Sequence, residues 1–207
     1  MNTSIFQAEY NDEGIRNLIF ENISKMLFNR QIIPSDTEMN NQLLKNYDNN
    51  TSFYKNKPSE DEKHLKKVAV KLLLRKITTI NKVDDIDDFL DKYNDYYKII
   101  VVFKITPKAH KQFLAYENLE VFFDDELLTN KIDHIFVPKH IILTTEQQTQ
   151  IKKEYEFKRN EIGKIKQSDP IARYYNLKVG QIIMIERPSI TSGISIYYRI
   201  CIQSALI

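Results

Sequence analysis

The chain has 207 residues, 42% hydrophobic and 28% charged, and a formal net charge of +2. That balance fits a soluble globular protein of one large or two small domains and argues against a free-standing nucleic-acid binder, which carries a strong basic stripe. A mean hydropathy of −0.45, with no apolar run near the ~20 residues that cross a bilayer, argues against a membrane span.

The charge is unevenly spread. From Lys131 onward there are 12 Lys and Arg against 7 Asp and Glu, a net of +5, whereas residues 1–130 carry 18 against 21, a net of −3. Any contact with DNA is therefore expected to be auxiliary. The single cysteine, Cys201, excludes an internal disulfide and a cysteine-based zinc site. It lies in an apolar run and reads as a small buried hydrophobe. The start, Met1-Asn-Thr-Ser-Ile-Phe6, has neither the basic nor the apolar region of a secretory signal, and an intracellular setting is expected.

Residues 12–30 read as an amphipathic helix, with Ile15, Leu18, Ile19, Phe20, Ile23, Met26 and Leu27 at helical spacing and Asp12 as a cap. Pro34 stops it, and Ser35-Asp36 caps a second helix through Leu43, Leu44 and Tyr47. Residues 47–62 are polar, include Pro58 and read as a loop. Val68, Val70, Leu72 and Leu74 alternate as in a strand, although Leu65, Val68 and Leu72 also suit a helix. Residues 84–97 carry Ile86, Phe89, Leu90 and Tyr93 at helical spacing. The β-branched run 98–104 reads as a strand covered on both faces. Pro107 opens a helix through Phe113 and Leu114, and 119–123 reads as another strand. Together these predict a layered α/β domain over residues 1–130.

A second module is expected over 131–207. His134–Val137 and His140–Leu143 read as short strands flanking Pro138. Thr145-Glu-Gln-Gln148 fits a capping box for a helix carrying Ile151 and Tyr155 that fades near Arg159-Asn160. Ser168-Asp169-Pro170 caps a short helix through Ala172, Arg173 and Tyr174, and Leu177-Lys-Val-Gly180 turns the chain. Residues 181–186 and 195–202 read as strands joined by a loop built on Pro188 and Gly193.

No motif supplies a catalytic centre. His134 and His140 lack a neighbouring ligand in sequence and read as structural or interface histidines. Asp84, Asp85, Asp87 and Asp88, like Asp124-Asp125-Glu126, read as solvated helix starts rather than metal sites. In metal-dependent α/β nucleases a core strand carries carboxylate-X-Lys; the corresponding triplet here is Val102-Phe103-Lys104, with valine in the ligand position. Ser189, Ser192 and Ser195 have no partnered His and Asp in sequence, and 4 glycines in all leave no phosphate-cradling loop. Arginine, tyrosine and proline at the capped turns Asp169-Pro170-Ile-Ala-Arg173-Tyr174 and Arg187-Pro188-Ser189 suit a recognition surface. An internal role, with Arg173 or Arg199 pairing Asp169 or Glu186, fits the residues equally well.

The order of these motifs resembles a known family. His134…Val137-Pro138…His140, Glu146, Tyr155, Asp169-Pro170 with Ala172-Arg173-Tyr174, Gly180-Gln181, Arg187-Pro188-Ser189, Gly193 and Tyr198-Arg199 look like the assembly module of the fifth subunit of eukaryotic-type DNA-directed RNA polymerases, which has a smaller archaeal counterpart. The segment 98–103 with Thr106-Pro107, and Glu126-Leu-Leu128, resemble the family's jaw module more weakly. Ile162-Gly163 stands where the family usually has Leu-Pro, and Ile190 and Ile194 replace residues that are commonly charged.

The resemblance implies a mixed α/β (α+β) chain: an N-terminal α/β jaw module over 1–130 and a small C-terminal assembly module with a short mixed sheet over 131–207. It implies a non-catalytic polymerase subunit that docks on the largest subunit and forms part of the lower jaw near downstream duplex. The implied interface comprises Pro138, His140, Asp169, Pro170, Arg173, Tyr174, Arg187, Ser189, Tyr198 and Arg199, with Gly180, Pro188 and Gly193 as structural positions. No cofactor is implied for this chain; the Mg2+ of the reaction belongs to the largest subunits. The jaw, which the archaeal counterpart lacks, points to a eukaryotic-type enzyme, and the Asn-, Ile- and Lys-rich composition to a large cytoplasmic DNA virus. The setting would then be host cytoplasm and virion, or the nucleus for a cellular protein. The rival readings are a Mg2+-dependent nuclease-like enzyme and a free protein-binding adaptor.

Overall fold

The computed structural model describes residues 12–55, 67–77, 84–113, 115–154, 162–191 and 193–203. The chain divides into two compact units, Met1–Thr129 and Asn130–Ile207, in a mixed α+β architecture.

In the first unit, α1 (Asp12–Asn29) buries Ile19, Phe20, Ile23, Met26 and Leu27 completely. Gln31, with φ of 60°, turns the chain toward α2 (Asp36–Lys45). Ser35 caps α2: its Oγ accepts from the Glu38 N–H at 3.3 Å, and Met39 and Leu43 face inward. The predicted loop at 47–62 is corrected in its first part. Asp48 and Thr51 exchange two backbone hydrogen bonds of 2.8 and 2.9 Å around Asn49 and Asn50, both at positive φ. Asparagine tolerates that conformation, so the pair makes a tight turn instead of an open connection. The turn launches β1 (Thr51–Lys55), which buries Ser52 and Tyr54.

Four strands form the sheet in the order β1-β2-β3-β4, where β2 is Lys67–Ile77, β3 Tyr97–Ile105 and β4 Leu119–Phe123. β1 runs antiparallel to β2; β2, β3 and β4 are parallel. The parallel neighbours are joined through α3 (Asp84–Lys92) and α4 (Pro107–Phe113). A parallel strand between helical layers must be apolar on both sides. Accordingly Ile99, Ile100, Val101 and Val102 are all inaccessible. On one face, Ile100 and Val102 pack with Ala69 and Leu73 of β2, Ile86 and Phe89 of α3, and Phe113 of α4. The helix predicted for 84–97 ends at Lys92, because Tyr97 already belongs to β3. The acidic run Asp124-Asp125-Glu126 opens α5 (Asp124–Leu128), where Glu126 Oε2 accepts from the Phe123 N–H at 2.9 Å. Asn22 Nδ2 of α1 donates to the Leu127 carbonyl at 2.7 Å, tying that helix to α1.

In the second unit a 3-10 turn (Lys131–Asp133) precedes β5 (Lys139–Ile142). His134–Val137 is a turn and not a strand: the Val137 N–H donates to the His134 carbonyl at 2.8 Å and the Phe136 N–H to His134 Nδ1 at 3.3 Å. The segment joins neither sheet, and Ile135 and Phe136 project outward. The capping box of α6 (Thr145–Glu154) sits one residue earlier than predicted. Thr144 Oγ1 accepts from the Gln147 N–H, and Gln147 Oε1 from the Thr144 N–H at 2.9 Å. Gln148 instead bridges two elements, donating to the Leu143 carbonyl at 2.9 Å and accepting from the Ile182 N–H at 3.1 Å.

After β6 (Gly163–Lys166), which the sequence patterning did not reveal, comes α7 (Pro170–Tyr174). The long hairpin of β7 (Ile182–Ser189) and β8 (Gly193–Ile202) completes a mixed sheet in the order β5-β7-β8-β6, with only the β6–β8 pair parallel. Pro188 lies inside β7 opposite Ile194, not in the connecting loop, and Gly193, at φ of 71°, starts β8. At Pro188 β7 has already outrun β5, whose pairing stops at Glu186; there a missing N–H costs no ladder bond to β5. One sheet face packs Ile183 and Cys201 against Ala172 and Leu177; the other packs Ile182 and Ile200 with Leu143 and Ile151. Cys201 is buried, donates weakly to the Leu177 carbonyl, and its thiol is pushed up by burial. The predicted positions at 56–62, Leu65, Leu114, Tyr155, Arg159-Asn160 and Ser192 lie outside the described residues.

Candidate protein-docking surface of the C-terminal unit

Side chains alternate across a strand, so register decides which interface candidates meet. His140 of β5 stands opposite Ile185 of β7, which stands opposite Tyr197 of β8. Two residues along each strand, and therefore on the same face, come Arg187 and Arg199; because β7 and β8 are antiparallel they flank that row on opposite sides, Arg187 opposite Ser195 and Arg199 opposite Ile183. This is also the face that packs against α7. The helix covers the end of the face holding Ile183 and Cys201; the part from Arg199, beside Ile183, past the Ile185–Tyr197 row to Arg187 is left as a shelf.

The shelf has a buried floor and polar walls. Ile185 is 1% exposed, while Tyr197 is 50% exposed with the Arg187 guanidinium 5.3 Å from its ring centre. Arg199 is half-buried. Gly163 stands opposite it, and a Cβ there would lie 3.3 Å from the Tyr198 carbonyl oxygen and 3.4 Å from Arg199 Cγ. His140 Nδ1 is 2.6 Å from the Pro138 carbonyl. A carbonyl only accepts, so Nδ1 carries the proton. Burial holds the His140 pKa below its ordinary value of 6.5; the Pro138 hydrogen bond and Asp169 oppose that shift, while Arg199 and Arg187 reinforce it. Asp169 thus lies within electrostatic reach of His140. Its Oδ1 accepts from the Ile171 N–H at 2.9 Å, capping α7, with Pro170 at the first helical position.

Other candidates fall elsewhere. Tyr198, opposite Met184, packs into the cluster on the α6 side of the sheet, and Pro188 shares that parity. Glu186 is on that side too, paired with Lys139 Nζ at 3.2 Å. Hence the alternative that Glu186 neutralises Arg199 does not hold. Tyr174 stacks edge-on against Tyr175 at 5.1 Å, and Ser189 Oγ lies 3.3 Å from Thr191 Oγ1 near the hairpin tip. Arg173 sits on α7, half-buried. Gly180, at φ of 91°, donates its N–H to the Cys201 carbonyl at 2.8 Å. On the α6 side of the hairpin, Ile194 and Ile196 are exposed, as is Ile190 at its tip.

Ile185 and Tyr197 were absent from the sequence-derived set. Counting back two residues from each of Arg187 and Arg199 would have found them, because strand neighbours on one face are two apart. Among the described residues no three His, Cys, Asp or Glu side chains gather as a metal set. Val102, the position a nuclease strand would give to a carboxylate, is buried in the core of the first unit.

Residues 129–201 match the family model described as RNA polymerase Rpb5, C-terminal domain. The chain is 33% identical to "DNA-directed RNA polymerase subunit 5" of Acanthamoeba polyphaga mimivirus across 97% of this chain and 98% of that protein. It is 37% identical to "DNA-directed RNA polymerases I, II, and III subunit rpabc1" of Dictyostelium discoideum over 61% of this chain and 66% of that one. To the Caenorhabditis elegans subunit RPABC1 it is 39% identical over 41% of this chain and 40% of that protein. With the mimivirus likeness running nearly end to end in both chains, and the shelf-bearing unit matched on its own, this chain belongs to the Rpb5 family of RNA polymerase subunits.

Proposed function

We propose that the chain is a non-catalytic subunit of a multisubunit DNA-directed RNA polymerase, docking through its C-terminal unit on the largest subunit. Its N-terminal unit forms part of the lower jaw beside downstream duplex. The observation that carries this reading is the 33% identity to a viral polymerase subunit over essentially the whole length of both proteins. The gathering of His140, Arg187 and Arg199 with Tyr197 on one open face of the C-terminal unit supports docking there, since Arg and Tyr give much contact energy at low entropic cost.

The N-terminal unit props or guides the cleft without gripping DNA. Its net charge of −3 over residues 1–130 supplies little phosphate neutralisation. The polymerase's Mg2+ and nucleotide chemistry stay with the largest subunits, and the complex works inside the cell, in host cytoplasm and virion if the chain is viral. The test is affinity purification of the tagged chain with mass-spectrometric identification of what accompanies it. The two largest polymerase subunits in equal amount are expected. A complete, stable and active polymerase purified without this chain overturns the reading.

A further inference from the structure

The shelf on the C-terminal unit has a chemistry that narrows what can sit on it. Among the described residues, neither Arg187 nor Arg199 has a carboxylate within ion-pairing distance. The two carboxylates that the motifs offer as internal partners are engaged otherwise: Glu186 pairs with Lys139 on the opposite face, and Asp169 Oδ1 caps α7. Arg199 stands opposite Gly163 in the register, and the Arg187 guanidinium lies 5.3 Å from the Tyr197 ring centre. Two arginines thus flank an exposed aromatic ring on one face, and among the described residues neither is ion-paired with a carboxylate.

We propose that this shelf receives a carboxylate-bearing segment of a protein partner, with Asp or Glu side chains meeting Arg187 and Arg199 on either side of the Ile185–Tyr197 row and an apolar neighbour against Tyr197. The inference rests on the reading of the chain as a polymerase subunit and names the chemistry of its docking contact. Arginine forks match the planar carboxylate and form strong charge-assisted hydrogen bonds with it. A surface with an apolar floor and a charged wall is what a protein segment fills, while the uneven charge of the chain favours an acidic partner. Duplex DNA fits less well. The half-exposed Tyr197 ring beside the buried Ile185 offers a phosphate backbone little.

The test uses the full chain within the polymerase. Variants R187K and R199K keep the charge and place an amine where a zero-length carbodiimide can join it to a touching carboxylate. Mapped cross-links from these positions to an Asp or Glu of another polymerase subunit are expected. The double charge reversal R187E/R199E is expected to lower retention of the chain on the polymerase by at least about tenfold at moderate salt. Two results overturn the inference: cross-links confined to this chain, or an R187E/R199E chain retained as well as the unmodified one. A reversal that leaves retention intact but weakens the polymerase's hold on duplex DNA assigns the shelf to nucleic acid and overturns it too. Should the unmodified chain fail to accompany the polymerase at all, the subunit reading itself falls, an outcome distinct from these.

Discussion

Arg30, one residue past the end of α1, and Glu120, on β4, are joined by a two-pronged ion pair: Nη1 to Oε1 at 2.7 Å and Nη2 to Oε2 at 3.0 Å. Their side chains are only 4% and 16% exposed. The guanidinium also reaches Tyr97 Oη at 3.3 Å, and Glu120 sits opposite Ile99 in the sheet register. The pair therefore locks the end of α1 over the β3–β4 side of the sheet. A desolvated charge is tolerable only while its partner is present.

Removing one partner should cost more than removing both. Glu120→Ala leaves the Arg30 charge buried and is expected to destabilise the chain by about 3–5 kcal/mol. Replacing both with apolar residues, Arg30→Met with Glu120→Leu, should recover most of that loss. Urea denaturation of the three proteins checks it. Equal losses for single and double variants would mean that the pair contributes through packing and not through charge.

The capping box of α6 offers a test at single-residue resolution. Thr144 Oγ1 accepts from the Gln147 N–H at 3.3 Å, so Thr144→Ala should lower stability by about 1 kcal/mol. Thr145, inside the helix, makes no such bond with its side chain, and Thr145→Ala should change stability by less than about 0.5 kcal/mol. Thermal unfolding that ranks the two the other way round would move the helix start.

That one-residue slip shows how legible the chain was. Two consecutive threonines followed by Glu-Gln-Gln satisfy the pattern in either register, and only the bond geometry chooses. Long elements with strong periodicity, such as α1 and β3, could be read directly because a whole buried face repeats in them. Two short elements set by local bonding could not. β1 follows a turn made by two asparagines at positive φ, and β6 buries one residue of its four, Ile165, among lysines. The candidate docking face was half legible. The motifs supplied His140, Arg187 and Arg199, but strand parity sends Tyr198 and Pro188 to the opposite side and brings in Ile185 and Tyr197.

His140 makes stability depend on pH with a definite sign. Its folded pKa lies below the ordinary 6.5, chiefly through burial. Above that value the ring is neutral in both folded and unfolded chains and contributes no pH slope. As pH falls below it, the unfolded chain takes up the proton first, so stability declines until pH passes the folded pKa. Denaturation midpoints measured from about pH 7.5 down to about 5 should fall across this window, and His140→Gln should flatten that part of the profile. An unchanged slope in the variant would place the dependence elsewhere.

The C-terminal unit should stand alone as a folded fragment. Residues 130–207 carry two buried clusters, one on each face of their own sheet: Ile165, Ala172, Leu177, Ile183 and Cys201 on one, Leu143, Ile162, Ile182 and Ile200 on the other. Domains of this size are near the lower limit at which a single core suffices. A sheet covered on both faces uses its apolar residues efficiently, because each central strand buries alternate side chains in two places. The fragment is therefore expected to unfold in one cooperative urea transition, with a smaller slope than the whole chain because less surface is exposed. It is also expected to be retained on the polymerase as the full chain is. Heteronuclear NMR with poor dispersion, or a transition too broad to be cooperative, would show that the unit borrows stability from residues 1–129. Good dispersion with loss of retention would instead move the docking contact into those residues.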